Sequence, residues 1–166
     1  MEQHINPDGS YGPLVPNSAT ISHLAWIGYS ARIGERTWIG DSARIGERTW
    51  IGDSTKIGTC ATIGDSTRIG TCATIGDSAR IGERTRIGAW ATVQTIRRTD
   101  GYWFALVPLE SGDWRMTAGC RDFTPIEARD HWTRTRGGTL LGAETLAILD
   151  YFDARMALGI RGMTPA

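Results

Sequence analysis

The stretch IGYSARIGERTWIGDSARI, residues 27–45, decides the fold, because it repeats with a period of six and nothing interrupts it. The same phase runs outward in both directions. Isoleucine stands at Ile21, Ile27, Ile33 and every sixth position on to Ile87, with Val15 before and Val93 after, and a glycine follows each isoleucine from Ile27 to Ile87. Two positions before each isoleucine the residue is small, as at Ala31, Thr37, Ala43 and Thr49. In a strand, residues two apart point the same way, so Ala31 and Ile33 face inward, Arg32 and Gly34 outward, and Glu35-Arg36 turns the corner. A helix is excluded: at 100° per residue a period of six scatters the isoleucines around the cylinder. Disorder is excluded too, since a disordered repeat has no reason to keep a β-branched residue in phase.

Residues 15–95 therefore form a β-helix, preceded by an N-terminal cap (1–14) and followed by a small α+β unit (96–166) in which the period is lost. A lone coil buries too few isoleucines to offset the entropy of ordering it, so the coils must stack, and both open ends need covering. In the last unit, Tyr102–Leu109 and Asp113–Cys120 read as a hairpin around ESGD. Thr124-Pro125-Ile126-Glu127 is a capping box that starts a helix running through Trp132, and a second helix over Ala143–Leu158 carries Leu146, Leu149, Phe152 and Met156 at core spacing.

The hexad Ile-Gly-x-x-(Ala/Thr)-x resembles the hexapeptide-repeat family. The resemblance implies a mainly β fold, a left-handed parallel β-helix with three hexads per triangular coil, and a homotrimer packed side by side. The run GCRDFTPIEARDHW (119–132), with LLGAETLAILDY (140–151) behind it, resembles the C-terminal segment of bacteriophage and prophage proteins that carry hexapeptide repeats. It implies a phage accessory protein and no particular activity.

With three hexads per coil, Trp26 falls beneath Arg44, Trp38 beneath Lys56, and Trp50 between Arg32 and Arg68. Each tryptophan gains a cation one strand spacing away, a contact worth about 0.5–2 kcal/mol. Two readings are open: the ladders stabilise the coils and are buried between subunits, or Trp26, Arg32, Arg44, Trp50 and Arg68 bind a planar anionic ligand by stacking and bidentate arginine contacts. Glu47, Asp65 and Glu83 share a corner in successive coils, and salt bridges to Arg48 and Arg84 are the expected relief of their repulsion. Arg121 and His131, beside Trp132, complete the candidate ligand-binding residues, against the reading in which Trp132 is core and His131 is satisfied. The copied units IGDSARIGERTW (39–50) and IGDSTRIGTCAT (63–74) point to repeat expansion.

The family's enzymes are mainly acyltransferases with a histidine base and carbonic-anhydrase-like members with three zinc-binding histidines. Here His4 lies in the N-terminal cap, His23 in the first coil and His131 in the last unit, so no metal site and no cofactor is expected, and His23 is the one candidate base. Cys60, Cys72 and Cys120 are an odd count without a CxxC pair, which suits a reducing compartment. The 18 basic and 18 acidic residues balance, which argues against extended nucleic acid or anionic membrane as partner. The opening MEQHINPDGS has no signal-peptide pattern and no apolar run is long enough to span a bilayer, so a cytoplasmic location, the host's if phage-encoded, is expected. Three functions remain: a non-catalytic trimeric protein that sequesters a small anion such as a signalling nucleotide, a structural or interaction module, and an acyltransferase using His23.

Overall fold

The computed structural model describes residues 1–162. It is mainly β: a left-handed β-helix of about four turns followed by two helices. An antiparallel hairpin, β1 (Glu2–Ile5) and β2 (Tyr11–Val15), precedes twelve two-residue strands, β3 (Thr20–Ile21) to β14 (Arg86–Ile87), one for each hexad. Each coil crosses three faces. The first face carries Trp26-Ile27, Arg44-Ile45, Thr62-Ile63 and Arg80-Ile81 in parallel register. The second carries Arg32-Ile33, Trp50-Ile51, Arg68-Ile69 and Arg86-Ile87. The third carries Thr20-Ile21, Trp38-Ile39, Lys56-Ile57 and Thr74-Ile75 and runs on into β15 (Thr92–Arg97).

The core follows the sequence pattern: Ile27, Ile45, Ile63 and Ile81 stack in one buried column, with the alanines and threonines two positions earlier beside the columns. Buried threonines are tolerated because their hydroxyls donate to glycine carbonyls of the next coil, as from Thr55 to Gly70 O at 3.0 Å and from Thr67 to Gly82 O at 3.0 Å.

The corners depart from the expectation that the glycines simply face outward. A Cβ on Gly64 would lie 2.6 Å from the backbone nitrogen of Glu83 and 2.8 Å from the carbonyl carbon of Gly82, so glycine is required where one coil crosses the next. Two residues further on, non-glycine residues such as Ser54 (φ 57°), Cys60 (φ 56°) and Ser66 (φ 58°) occupy the left-handed region. Their N–H groups donate to the preceding coil, from Ser54 to Glu35 O at 2.7 Å and from Cys60 to Asp41 O at 2.8 Å, and the strain is held by stacking.

Both open ends are covered. At the N-terminal end Asn6 takes the place of a missing coil: its Oδ1 accepts the Ile27 N–H at 2.8 Å and its Nδ2 donates to Ile27 O at 3.3 Å. Buried His4 adds a contact from Nε2 to Ala25 O at 3.0 Å. At the other end β15 changes partner, pairing parallel to Thr74-Ile75 and then antiparallel to β16 (Trp103–Pro108). β16 pairs in turn with β17 (Trp114–Ala118), and β17 with β18 (Arg121–Phe123). β16 is buried on both sides: Ala105 and Val107 close the isoleucine core, while Phe104 and Leu106 pack on the helices.

Helix α1 (Pro125–Arg136) has the expected capping box, with the Glu127 carboxylate accepting the Thr124 N–H at 2.8 Å. Helix α2 (Leu140–Ala157) starts three residues before the predicted Ala143, because the Thr139 hydroxyl accepts the Gly142 N–H at 3.0 Å and caps an earlier turn. Leu149 and Phe152 are buried against Ala128 and Trp132, with Leu146 and Met156 at the margin.

Steric crowding at the corners predicts that Gly64→Ala lowers the unfolding free energy by about 2 kcal/mol or more, as overpacking against backbone does. Gly88, whose added Cβ would meet nothing nearer than Glu110 Cα at 3.9 Å, should accept alanine within about 0.5 kcal/mol. Urea denaturation of the two variants measures the difference.

Candidate anion-binding surface

The outward column of the second face reads Arg32, Trp50, Arg68, Arg86, all exposed and each about 4.8 Å from the next by strand spacing. The Arg68 guanidinium lies over the Trp50 ring, 5.8 Å from its centroid. Among the described residues none of the three arginines makes an ion pair or a side-chain hydrogen bond to the protein.

Their freedom comes from the corners. The expected salt bridges from the acidic column to Arg48 and Arg84 do not form among the described residues. Glu47 and Asp65 of that column, and Asp53 on another corner, instead turn to backbone N–H groups of the preceding coil. Glu47 accepts from Ser30 N at 2.9 Å and Tyr29 N at 3.0 Å, Asp65 from Glu47 N at 2.8 Å, and Asp53 from Glu35 N at 2.9 Å. These amide donors hold the Glu47 carboxyl below the usual glutamate range, the Ser30 N–H first among them. An amide is fixed in place by the coil, whereas an exposed arginine must give up rotamer freedom to pair, so the amide wins.

Trp26 and Arg44 lie on the first face, in a cleft of about 770 Å³. Asp8, Asp65 and Glu83 line it too, which sets three carboxylates against one guanidinium. The register places Arg44 beside Trp26, Lys56 beside Trp38 and Arg32 beside Trp50 as expected, but among the described residues of the coils only Arg68 has its cation over a ring.

Arg121 and His131 sit apart from both faces, on β18 and α1. The His131 ring packs 5.0 Å from Phe123 and edge-on to Trp132 at 4.9 Å. Burial, then the nearby charges of Arg121 and Arg134, lower its pKa and favour the neutral ring. Trp132 is core. The seven candidate residues thus fall in three places, and only Arg32, Trp50 and Arg68 adjoin one another without opposing acids.

Two arginines had been passed over. Arg86 extends the second-face column, and the same stacking rule applied to Arg68 would have found it. Arg98 lies beyond the repeats, where no period signals burial. Its guanidinium, 3% exposed, pairs with Asp100 at 2.6 Å, donates to Thr145 Oγ1 at 2.7 Å and lies over Tyr102, Phe104 and Trp132 at 5.3–5.7 Å. It ties β15 to α2 and is fully engaged by the protein. His23 is exposed on a corner and has no side-chain hydrogen bond among the described residues.

Residues 30–65 and 60–95 match the family described as bacterial transferase hexapeptide (six repeats). Residues 30–95 thus carry the hexapeptide repeats of that family. No curated protein matches it. Among solved structures, it is similar to a variant of perosamine N-acetyltransferase from Caulobacter crescentus in complex with CoA and GDP-perosamine, at 20% identity and TM-score 0.31 over 54% of this chain. The chain spans 45% of the length of that enzyme. It is also similar to a Bacillus cereus protein assigned as an acetyltransferase, at 13% identity and TM-score 0.28 over 93% of this chain and 96% of that one.

The Arg98 guanidinium holds the Asp100 carboxyl at about 2, below its ordinary 3.8. A depressed folded-state pKa contributes stability that is fully present above the unfolded value and is lost as pH falls through the folded one. Acidification from about pH 4 to pH 2 should therefore destabilise the wild type more than Asp100→Asn, as followed by circular dichroism melts across that window.

Proposed function

We propose that the protein is a non-catalytic binding protein that sequesters a small, multiply charged anion with a planar group, of the signalling-nucleotide class, on the face of Arg32, Trp50, Arg68 and Arg86. The observation that supports this reading is the cation column itself: among the described residues none of its three exposed guanidiniums makes an ion pair, Arg32 and Arg68 flank an indole, and Arg86 continues the column in a cleft shared with Glu83, Glu110 and Asp122. Guanidinium forks match phosphate oxygens and the indole offers a stacking surface. The column is short and the net charge zero, which favours a compact anion over extended nucleic acid. In a side-by-side homotrimer a neighbouring subunit would wall this open face into a cleft. The setting we assign is the cytoplasm, the host's if the chain is a phage accessory protein, as the resemblance of its C-terminal segment implies.

A second reading, an interaction module, is favoured by the exposed tryptophans on all three faces: Trp26 at 37%, Trp38 at 43% and Trp50 at 39%. The acyltransferase reading rests on His23 alone.

Native mass spectrometry of protein purified without added ligand should report three subunits and a retained anion. In a thermal-shift panel of mono-, di- and cyclic nucleotides, at least one should raise the melting temperature, with Trp50→Ala or Arg68→Ala weakening it about tenfold or more. No shift with any nucleotide, together with acetyl-CoA turnover that His23→Ala abolishes, would establish the enzyme instead.

A further inference from the structure

A second cavity, of about 290 Å³, lies where the C-terminal sheet overhangs the first face of the β-helix. Its floor comes from the coils, with Thr62 and Arg80 adjacent in register and Cys60 and Ser78 on the neighbouring corner. Its roof comes from β16 and β17. Trp103 is on the side of β16 that carries Ala105 and Val107 toward the coils, and Thr117 is the cross-strand partner of Ala105.

The chemistry of the lining is one-sided. Arg80 is its one charged residue, and no carboxylate lines the cavity. Among the described residues Arg80 makes no ion pair, and the side chains of Thr62, Ser78, Thr117 and Trp103 make no hydrogen bond to the protein. Thr117 is itself 6% exposed, and its hydroxyl makes no hydrogen bond to the protein among the described residues. A guanidinium, three hydroxyls and an indole with no opposing acid suit one anionic group on a flat body. The cavity is too small for the extended ligand that the open cation column would take, and it lies on a different face.

We infer that this junction cavity is a binding site for a small organic molecule with a single anionic group, a carboxylate or a phosphate monoester, with the anion on Arg80 and its planar body against Trp103. The site needs both units of the chain, so its occupant would also clamp the C-terminal sheet onto the coils.

Cys60, exposed at the cavity rim, reports occupancy. The other cysteines are removed as Cys72→Ser and Cys120→Ser; serine already holds the corner position of Cys72 at Ser54 and Ser66 with the same backbone conformation. The rate of Cys60 alkylation by iodoacetamide is then followed by intact mass with phenyl phosphate, phenylacetate or benzyl alcohol present. At least one anion should slow the reaction saturably, by about threefold or more, and benzyl alcohol should not; which anion protects identifies the group. Arg80→Gln should raise the half-protecting concentration about tenfold without changing the melting temperature of the ligand-free protein, since Arg80 is exposed and makes no ion pair or side-chain hydrogen bond among the described residues. No protection by either anion, equal protection by benzyl alcohol, or protection unchanged in Arg80→Gln overturns the site. Arg68→Ala should leave protection intact whether or not the cation column binds a nucleotide; protection lost with Arg68→Ala would move the anion to that column and overturn the cavity site.

Discussion

The structure depends on how closely one coil can lie on the next. Ladder hydrogen bonds fix the spacing at one strand width, and at each corner this brings the backbone of the upper coil to within 3 Å of where a side chain would begin on the lower one. Glycine after each isoleucine from Ile27 to Ile87 is the answer to that crowding, and its φ stays out of the left-handed region. The requirement ends with the stack: beyond Gly76, where no further coil lies above, Gly82 and Gly88 are no longer pressed. From Ser54 on to Trp90, the left-handed residue that follows in each corner is held by an N–H bond to the preceding coil, so corner strain and coil stacking stand or fall together there.

The same crossing determines the electrostatics of the surface. Corner amide N–H groups capture the carboxylates of Glu47, Asp53, Asp65 and Asp77 from the coil above, so these acids are not available to the outward arginines. A chain with no net charge thereby displays a face of unpaired guanidiniums around Trp50. Binding capacity on this face follows from the way the scaffold satisfies its own backbone.

The C-terminal unit extends the scaffold through one strand. β15 finishes the coil stack and opens an antiparallel sheet, and β16 then serves two cores at once, one side plugging the isoleucine columns and the other seating the helices. The buried Arg98, gripped by Asp100 and Thr145 among three aromatic rings, locks the hairpin to α2. The overhang of this sheet above Arg80 turns an otherwise flat face into a partly enclosed cavity.

The sequence by itself determined the β-helix, its phase, the inward isoleucine columns and the capping box at Thr124, because each follows from a strict local period or a short local motif; the coil-to-coil register that stacks Trp50 between Arg32 and Arg68 needed in addition the three hexads per coil that the resemblance implied. It could not determine which polar groups pair. The capture of Glu47 by the amides of Tyr29 and Ser30, the closure of the first coil by Asn6, the burial of Arg98 and the separation of Arg121 and His131 from the ladders depend on groups distant in the chain. Such contacts are set by how the coils and the C-terminal sheet meet in space. The cation column was legible in outline from the repeat; that Arg32 and Arg68 stand beside Trp50 without ion pairs, while Arg86 shares a cleft with Glu83, Glu110 and Asp122, was decided only by the tertiary structure.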